Sequence, residues 1–290
     1  MFDWGVAAVL VQALLYATCL TAGGGVLFLA VFGRQLSAPE RQFVIHFTRA
    51  VAVAALFVTI ARVMILSAML GDDFASLWDW SLIQIVLEGS DGRANAVRAV
   101  GLICIAAFAF GTSASQAIAL AGAVVVAGSF ALSGHSGSAG PGFLPRLLVA
   151  IHVLAVSFWI GALVPLFKIA SNPEFSRIGA ILRRFGSIAV FIVPGLIAAG
   201  LILLWLLLGS LEAIFTSEYG RLVLLKLAFV GGLLSLAAVN KLRLTPGVAA
   251  GNRAAAARLR WSIAGEMTLA TAILLVTAIF TTAVGPPEME

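Results

Sequence analysis

Residues 133–167 read SGHSGSAGPGFLPRLLVAIHVLAVSFWIGALVPLF. A small polar run carries His135. A proline-opened apolar run, residues 144–168, follows and carries His152, Trp159, Gly161 and Pro165. That run is long enough to cross a bilayer as one helix, which takes about 20 apolar residues. The chain has three histidines, and two of them lie here, seventeen positions apart. One is placed at a membrane edge and the other inside the membrane.

The rest of the chain agrees with a lipid environment. Of 290 residues, 61% are hydrophobic and 11% charged, with a mean hydropathy of +1.09. Soluble domains carry roughly 25% charged residues. The net charge of +5 does not point to nucleic acid, because the charges sit in short connections between apolar runs. In a membrane protein that pattern reports topology. Cys19 and Cys104 both fall within apolar runs and read as packing residues or soft ligands rather than a disulfide. The first twenty residues lack a basic leader and a cleavage site, so they read as a first membrane helix.

Eight stretches have the length of a span: about 4–33, 46–70, 93–111, 115–133, 144–168, 186–209, 220–241 and 261–284. No period-two alternation supports a barrel. The expected fold is an all-α integral membrane protein of one transmembrane domain with eight helices. With the N-terminus outside, inside connections carry twelve Lys and Arg against four outside, namely Arg93, Arg98, Arg146 and Arg221. Both termini are therefore expected outside. One outside loop, Gly71–Gly92, holds Asp72, Asp73, Asp79, Glu88 and Asp91 with Trp78 and Trp80. It reads as a solvated, interface-anchored loop whose charge could also concentrate cations. Gly23-Gly24-Gly25 near the end of helix one resembles the stretch around Gly161 in helix five. Four helices plus four would make a parallel repeat.

Titratable groups inside spans are costly and need a partner or a purpose. Here they are His152, Arg62, Lys226 and Glu266, with His46 at the inner edge of helix two. An imidazole can bind copper, iron or zinc, or relay protons. Equally, it can be a neutral core histidine bonded to a carbonyl. Met64 and Met69 offer thioethers suited to Cu(I), or fill gaps. Arg62 is expected to reach toward Asp72 and Asp73. Lys226 and Glu266 are expected at different depths, without a direct pair. Nucleotide-binding and zinc-protease motifs are absent from the sequence.

The stretch 133–167, the later Glu218-Tyr-Gly-Arg221 to Lys226 with Asn240-Lys-Leu-Arg-Leu-Thr-Pro246, and Leu182-Arg-Arg-Phe-Gly-Ser resemble signatures of the CopD/PcoD family of copper-resistance membrane proteins. The resemblance implies eight helices in the bacterial inner (cytoplasmic) membrane and copper transport, with import from periplasm to cytoplasm the expected direction. It implies copper ligation by His135 and His152, and a small periplasmic partner of the CopC type. Met64 and Met69 are further ligand candidates. His46, Arg62, Trp159, Lys226 and Glu266 are candidates for translocation or coupling. Two alternatives stay open: a membrane redox protein holding haem b, and a copper-binding scaffold without translocation.

Overall fold

A computed structural model describes residues 3–107, 112–133, 142–208 and 211–284. The described elements are all helical. They are α1 (Trp4–Phe32), α2 (Ala38–Gly71), α3 (Trp80–Glu88), α4 (Ser90–Ala107), α5 (Ser113–Ser129), α6 (Phe143–Ile169), α7 (Phe175–Leu208), α8 (Leu211–Thr216), α9 (Glu218–Val239), α10 (Thr245–Ala249) and α11 (Arg253–Thr282). A 3₁₀ turn, Ala75–Leu77, precedes α3, and a π-helical turn, Asn240–Leu244, joins α9 to α10.

Apolar sequence alone does not say where a helix starts; capping residues do. Asp3 Oδ1 accepts the Val6 N–H at 3.0 Å, and Glu40 accepts the Ser37 N–H at 2.9 Å, opening α1 and α2. Ser217 Oγ accepts from Gly220 to open α9, and Asn252 Oδ1 from Ala255 to open α11. These side chains satisfy N–H groups that have no helical partner. The caps explain why α2 and α11 begin at residues 38 and 253, well before the apolar stretches expected from 46 and 261; α7 also begins early, at residue 175 against 186. Helical hydrogen bonding continues through the basic turns outside the hydrocarbon. Among the described residues six helices are long and apolar enough to cross a membrane: α1, α2, α6, α7, the continuous run Glu218–Ala249, and α11. The expected stretches 93–111 and 115–133 fall on α4, which holds Asp91, Arg93 and Arg98, and on the 17-residue α5.

Helix α1 is central, packing on α2, α5, α6 and α11. Its crossing with α6 is the closest approach of two backbones in this core. A Cβ on Gly24 would overlap Ser157 and Gly161, and one on Gly161 would overlap Gly24. In lipid, where apolar burial does not drive helices together, such small-residue contacts do. Pro165 adds to the crossing: it lacks an N–H, so the Gly161 carbonyl loses its helical donor.

The helix boundaries repeat. Adding 137 to Ala38, where α2 opens, gives Phe175, where α7 opens. The same shift carries Phe32 at the end of α1 onto Ile169 at the end of α6. Two pairs related by this shift touch each other. One is Gly24 with Gly161. The other is Glu40 with Arg177, whose guanidinium donates to both carboxylate oxygens at 2.7 and 3.1 Å.

Candidate functional site: a buried carboxylate and a histidine along α6

His152 and Trp159 stand seven residues apart on α6, so they share a face about 10 Å apart along the axis. That face looks toward α7, α9 and α11. The His152 imidazole is half-buried, and its Nδ1 is buried with no hydrogen-bond partner among the described residues. The ring also meets the Leu196 backbone of α7 in a hydrogen-bonding interaction. Gly200 of α7 faces the ring: a Cβ there would stand in ordinary van der Waals contact, 3.6 Å from Cε1. Lys226 of α9 is within electrostatic reach of the imidazole. Its Nζ lies 5.3 Å over the Phe280 ring.

Two turns inward, the Trp159 indole N–H donates to Glu266 Oε2 at 3.3 Å, and Asn240 Nδ2 donates to Oε1 at 2.6 Å. All three side chains are buried; Glu266 is 4% exposed. Asn240 starts the π turn. Pro246 accounts for that turn locally, because it cannot donate to the carbonyl four residues back and the helix loosens ahead of it. Trp159 is held edge-on by Phe185 at 6.0 Å.

Beside this triad lies a cavity of about 430 Å³, lined by residues of α6, α7, α9, the π turn and α11, including Trp159, Pro194, Asn240 and Glu266. It occupies the seam between α7 and α9. In the first half the matching helices, α2 and α4, pack directly on each other.

The other sequence candidates fall elsewhere. His135 lies outside the described residues. Met64 is half-buried and Met69 exposed on α2, whose neighbours are α1, α3 and α4. His46 is exposed near the inner end of α2. Arg62 is buried but pairs with Asp91 of α4 at 3.7 Å, not with Asp72 or Asp73 as expected. The loop acids are already turned inward on their own segment, where Asp73 caps Ser76. Lys226 and Glu266 form no ion pair among the described residues.

Arg98 was expected in an outside connection. Instead it lies inside α4 at 2% exposure, donating to Ser129 Oγ (3.1 Å) and Asn95 Oδ1 (2.5 Å), with its guanidinium carbon 4.3 Å from the Phe130 ring centroid. Its helical context was readable from the residues after it, GLICIAA, which leave no loop nearby. Asn240 was also missed, because an Asn before Lys-Leu-Arg looks like a helix stop. Among the described residues no three His, Cys, Asp or Glu side chains converge as a metal site. What the arrangement offers is one imidazole with an unpartnered Nδ1 and, two turns along α6, one carboxyl held by Trp159 and Asn240.

Residues 1–143 match the family model for the copper resistance protein D-like N-terminal domain, and residues 179–280 match the model for copper resistance protein D. The copper transport protein CutJ of Bacillus subtilis (strain 168) is 25% identical over 162 residues, which is 54% of this chain and 29% of that protein. The match thus spans under a third of that relative's length. No solved structure matches. With two matches that together take in most of the helices, this multi-pass membrane protein belongs to the copper resistance protein D family.

Proposed function

We propose that the protein carries copper across the bacterial inner membrane from periplasm to cytoplasm, with His152 as a ligand on the route. The observation that carries this is the buried, unpartnered Nδ1 of His152 within a family associated with copper. A polar atom buried without a partner costs roughly 1–3 kcal/mol. Imidazole nitrogen is a good copper donor, and a passing ion would offset that cost. His135 is the proposed outer companion, and Glu266 the proposed proton-coupling group. Its carboxylate is held by Trp159 and Asn240 and so is not free to wrap a metal. A periplasmic CopC-type protein is the proposed donor.

The proposed topology has eight spans and both termini periplasmic. Helix α4, at 18 residues, and α5, at 17, are each just long enough to cross the hydrocarbon. Arg98 belongs to a helix interior, which lowers the outside basic count further. A cavity of about 400 Å³ among the inner helix ends is rimmed by Arg34, Arg41 and Arg184, as a cytoplasmic face should be. The shift of 137 residues supports a four-plus-four parallel repeat, with Gly24–Gly161 and Glu40–Arg177 meeting on its pseudo-twofold axis.

The test is copper entry into proteoliposomes that enclose a copper-sensitive dye. The wild-type chain should admit copper, and His152→Ala should lower entry to that of empty vesicles. Undiminished entry in that variant removes His152 from the route. A second reading, haem b ligation, has one specific support: His152 and Lys226 approach from α6 and α9, an axial pair when both are neutral. A Soret band present in the purified wild type and lost in His152→Ala would select it. A scaffold that binds copper without passing it would bind the ion yet fail the vesicle assay.

A further inference from the structure

The proposed copper ligands His135 and His152 do not line the cavity between α7 and α9, and the cavity has chemistry of its own. Its walls are apolar along most of their length, and Val190 and Leu242 at its rim are 50% and 72% exposed. On membrane helices such exposure means contact with lipid. The cavity therefore opens sideways into the bilayer rather than into water. Its size, about 430 Å³, lies within the range of small-molecule sites.

The polar end is more selective. Trp159 Nε1 is spent on Glu266, and Asn240 Nδ2 gives it one of two N–H donors. Beyond the second amide N–H, what remains is accepting capacity. Asn240 is 8% exposed, lines the cavity, and its Oδ1 is buried without a partner. Each Glu266 oxygen keeps a spare lone pair. Thr245 adds a hydroxyl that can act either way. An acyl chain would fill the walls but leave Oδ1 unpaired. A metal ion would find one carboxylate, and among the described residues no His, Cys or second acid converges with it. An ammonium headgroup would have to leave the interface and enter through hydrocarbon.

We infer that this cavity binds a neutral, bilayer-borne ring carrying a hydroxyl donor, a molecule of the quinol class, with an O–H directed to Asn240 Oδ1 beside Glu266. The ring would lie along Trp159 and Phe185, and a tail would leave between α7 and α9. The inference concerns binding alone and does not depend on copper passage.

The experiment uses the full chain in lipid nanodiscs without copper. Decylhydroquinone is titrated against its bis-methyl ether, which keeps ring and tail but has no O–H. Tryptophan quenching is the readout, with Trp159→Phe to assign the signal. Decylhydroquinone should saturate at one per chain and bind about tenfold more tightly than the ether, the worth of one well-made buried hydrogen bond. In Asn240→Leu that preference should vanish while the ether binds as before. Equal binding of the two probes to wild type overturns the inference, and so does a preference that survives Asn240→Leu. An absence of saturable binding also overturns it. If Asn240→Leu fails to fold, the two-probe comparison on wild type still decides.

Discussion

Helices α2 and α7 hold the same place in the two halves, but they keep different company. Helix α2 packs along α4, and that seam holds Arg62 with Asp91, while Arg98 is tied into α4 and α5. Helix α7 reaches the neighbouring helix chiefly at its inner end, through the π turn and α10, and the open seam is the cavity. One half buries a guanidinium, the other a carboxyl: Ser129, which accepts from Arg98, is carried by the 137-residue shift onto Glu266. A shared backbone plan has thus been filled as a closed bundle on one side and as an open, polar-ended seam on the other. The first half reads as frame and the second as working part.

The largest expected effect tests what both halves share. Gly161→Val and Gly24→Val each place methyl groups on the opposing backbone, which cannot move aside as a side chain could. Overpacking of this kind costs about 3 kcal/mol or more. Neither variant should yield a monodisperse protein in size-exclusion chromatography. If either runs as wild type, the close crossing is not what joins the halves.

Next in size is the contrast of the two buried polar groups. Arg98→Ala removes hydrogen bonds to Asn95 and Ser129 and leaves a cavity over Phe130. A loss of about 2–4 kcal/mol is expected, seen as a lower unfolding temperature. Copper entry per folded molecule should be unchanged. Glu266→Gln keeps shape and most hydrogen bonding, so it should unfold near the wild-type temperature, yet entry should fall about tenfold and lose its response to a proton gradient. The reverse pattern, with Arg98→Ala folded but inactive and Glu266→Gln active, would break the division into frame and working part.

A smaller effect is expected on the proposed axis. Arg177 and Glu40 are joined bidentately, but the arginine side chain is 23% accessible, so the pair is screened. Glu40→Gln should cost about 1 kcal/mol. The exchange Glu40→Arg with Arg177→Glu should recover most of it, and a double-mutant cycle in thermal unfolding measures the coupling. No recovery would mean that the pair's surroundings, such as Asn172 bonded to Glu40, distinguish the two positions.

Much of this plan was legible in the sequence, because hydrocarbon thickness sets span length and apolar runs report it. The Gly24–Gly25 and Gly161 likeness was also visible, since only glycine lets two backbones touch. Boundaries were less legible: Ser37 and Asn252 start helices in polar sequence where hydropathy is silent. Arg98 was misplaced because hydropathy reads charge as exit from the membrane, whereas three neutral partners hold it inside. Asn240 could not be ranked from sequence, since its importance comes from Glu266, twenty-six residues on and one helix away. His152 was picked out by residue type; its orphaned nitrogen and its place against Gly200 needed three dimensions.

The smallest expected effect concerns the outer loop of the first half, which has no acidic counterpart of equal length in the second. Asp73 Oδ1 accepts both the N–H and the hydroxyl of Ser76, at 2.7 and 2.6 Å, and Asp79 Oδ1 accepts the same pair from Ser81, at 2.9 and 2.6 Å. These bonds hold both carboxyls below the usual range. A depressed carboxyl stays charged at any pH above its own value, so the loop keeps its charge at mildly acidic pH and loses it only as pH falls through those lowered values. The charges are exposed and therefore screened, with a Debye length of about 10 Å at 0.1 M salt and about 3 Å at 1 M. Asp73→Asn with Asp79→Asn should raise the copper concentration for half-maximal entry about two- to threefold at low salt, and not at all at about 1 M. An effect that persists at high salt would mean that these carboxylates touch the ion. The first half would then hold a binding site, and the division between frame and working part would move to the loop.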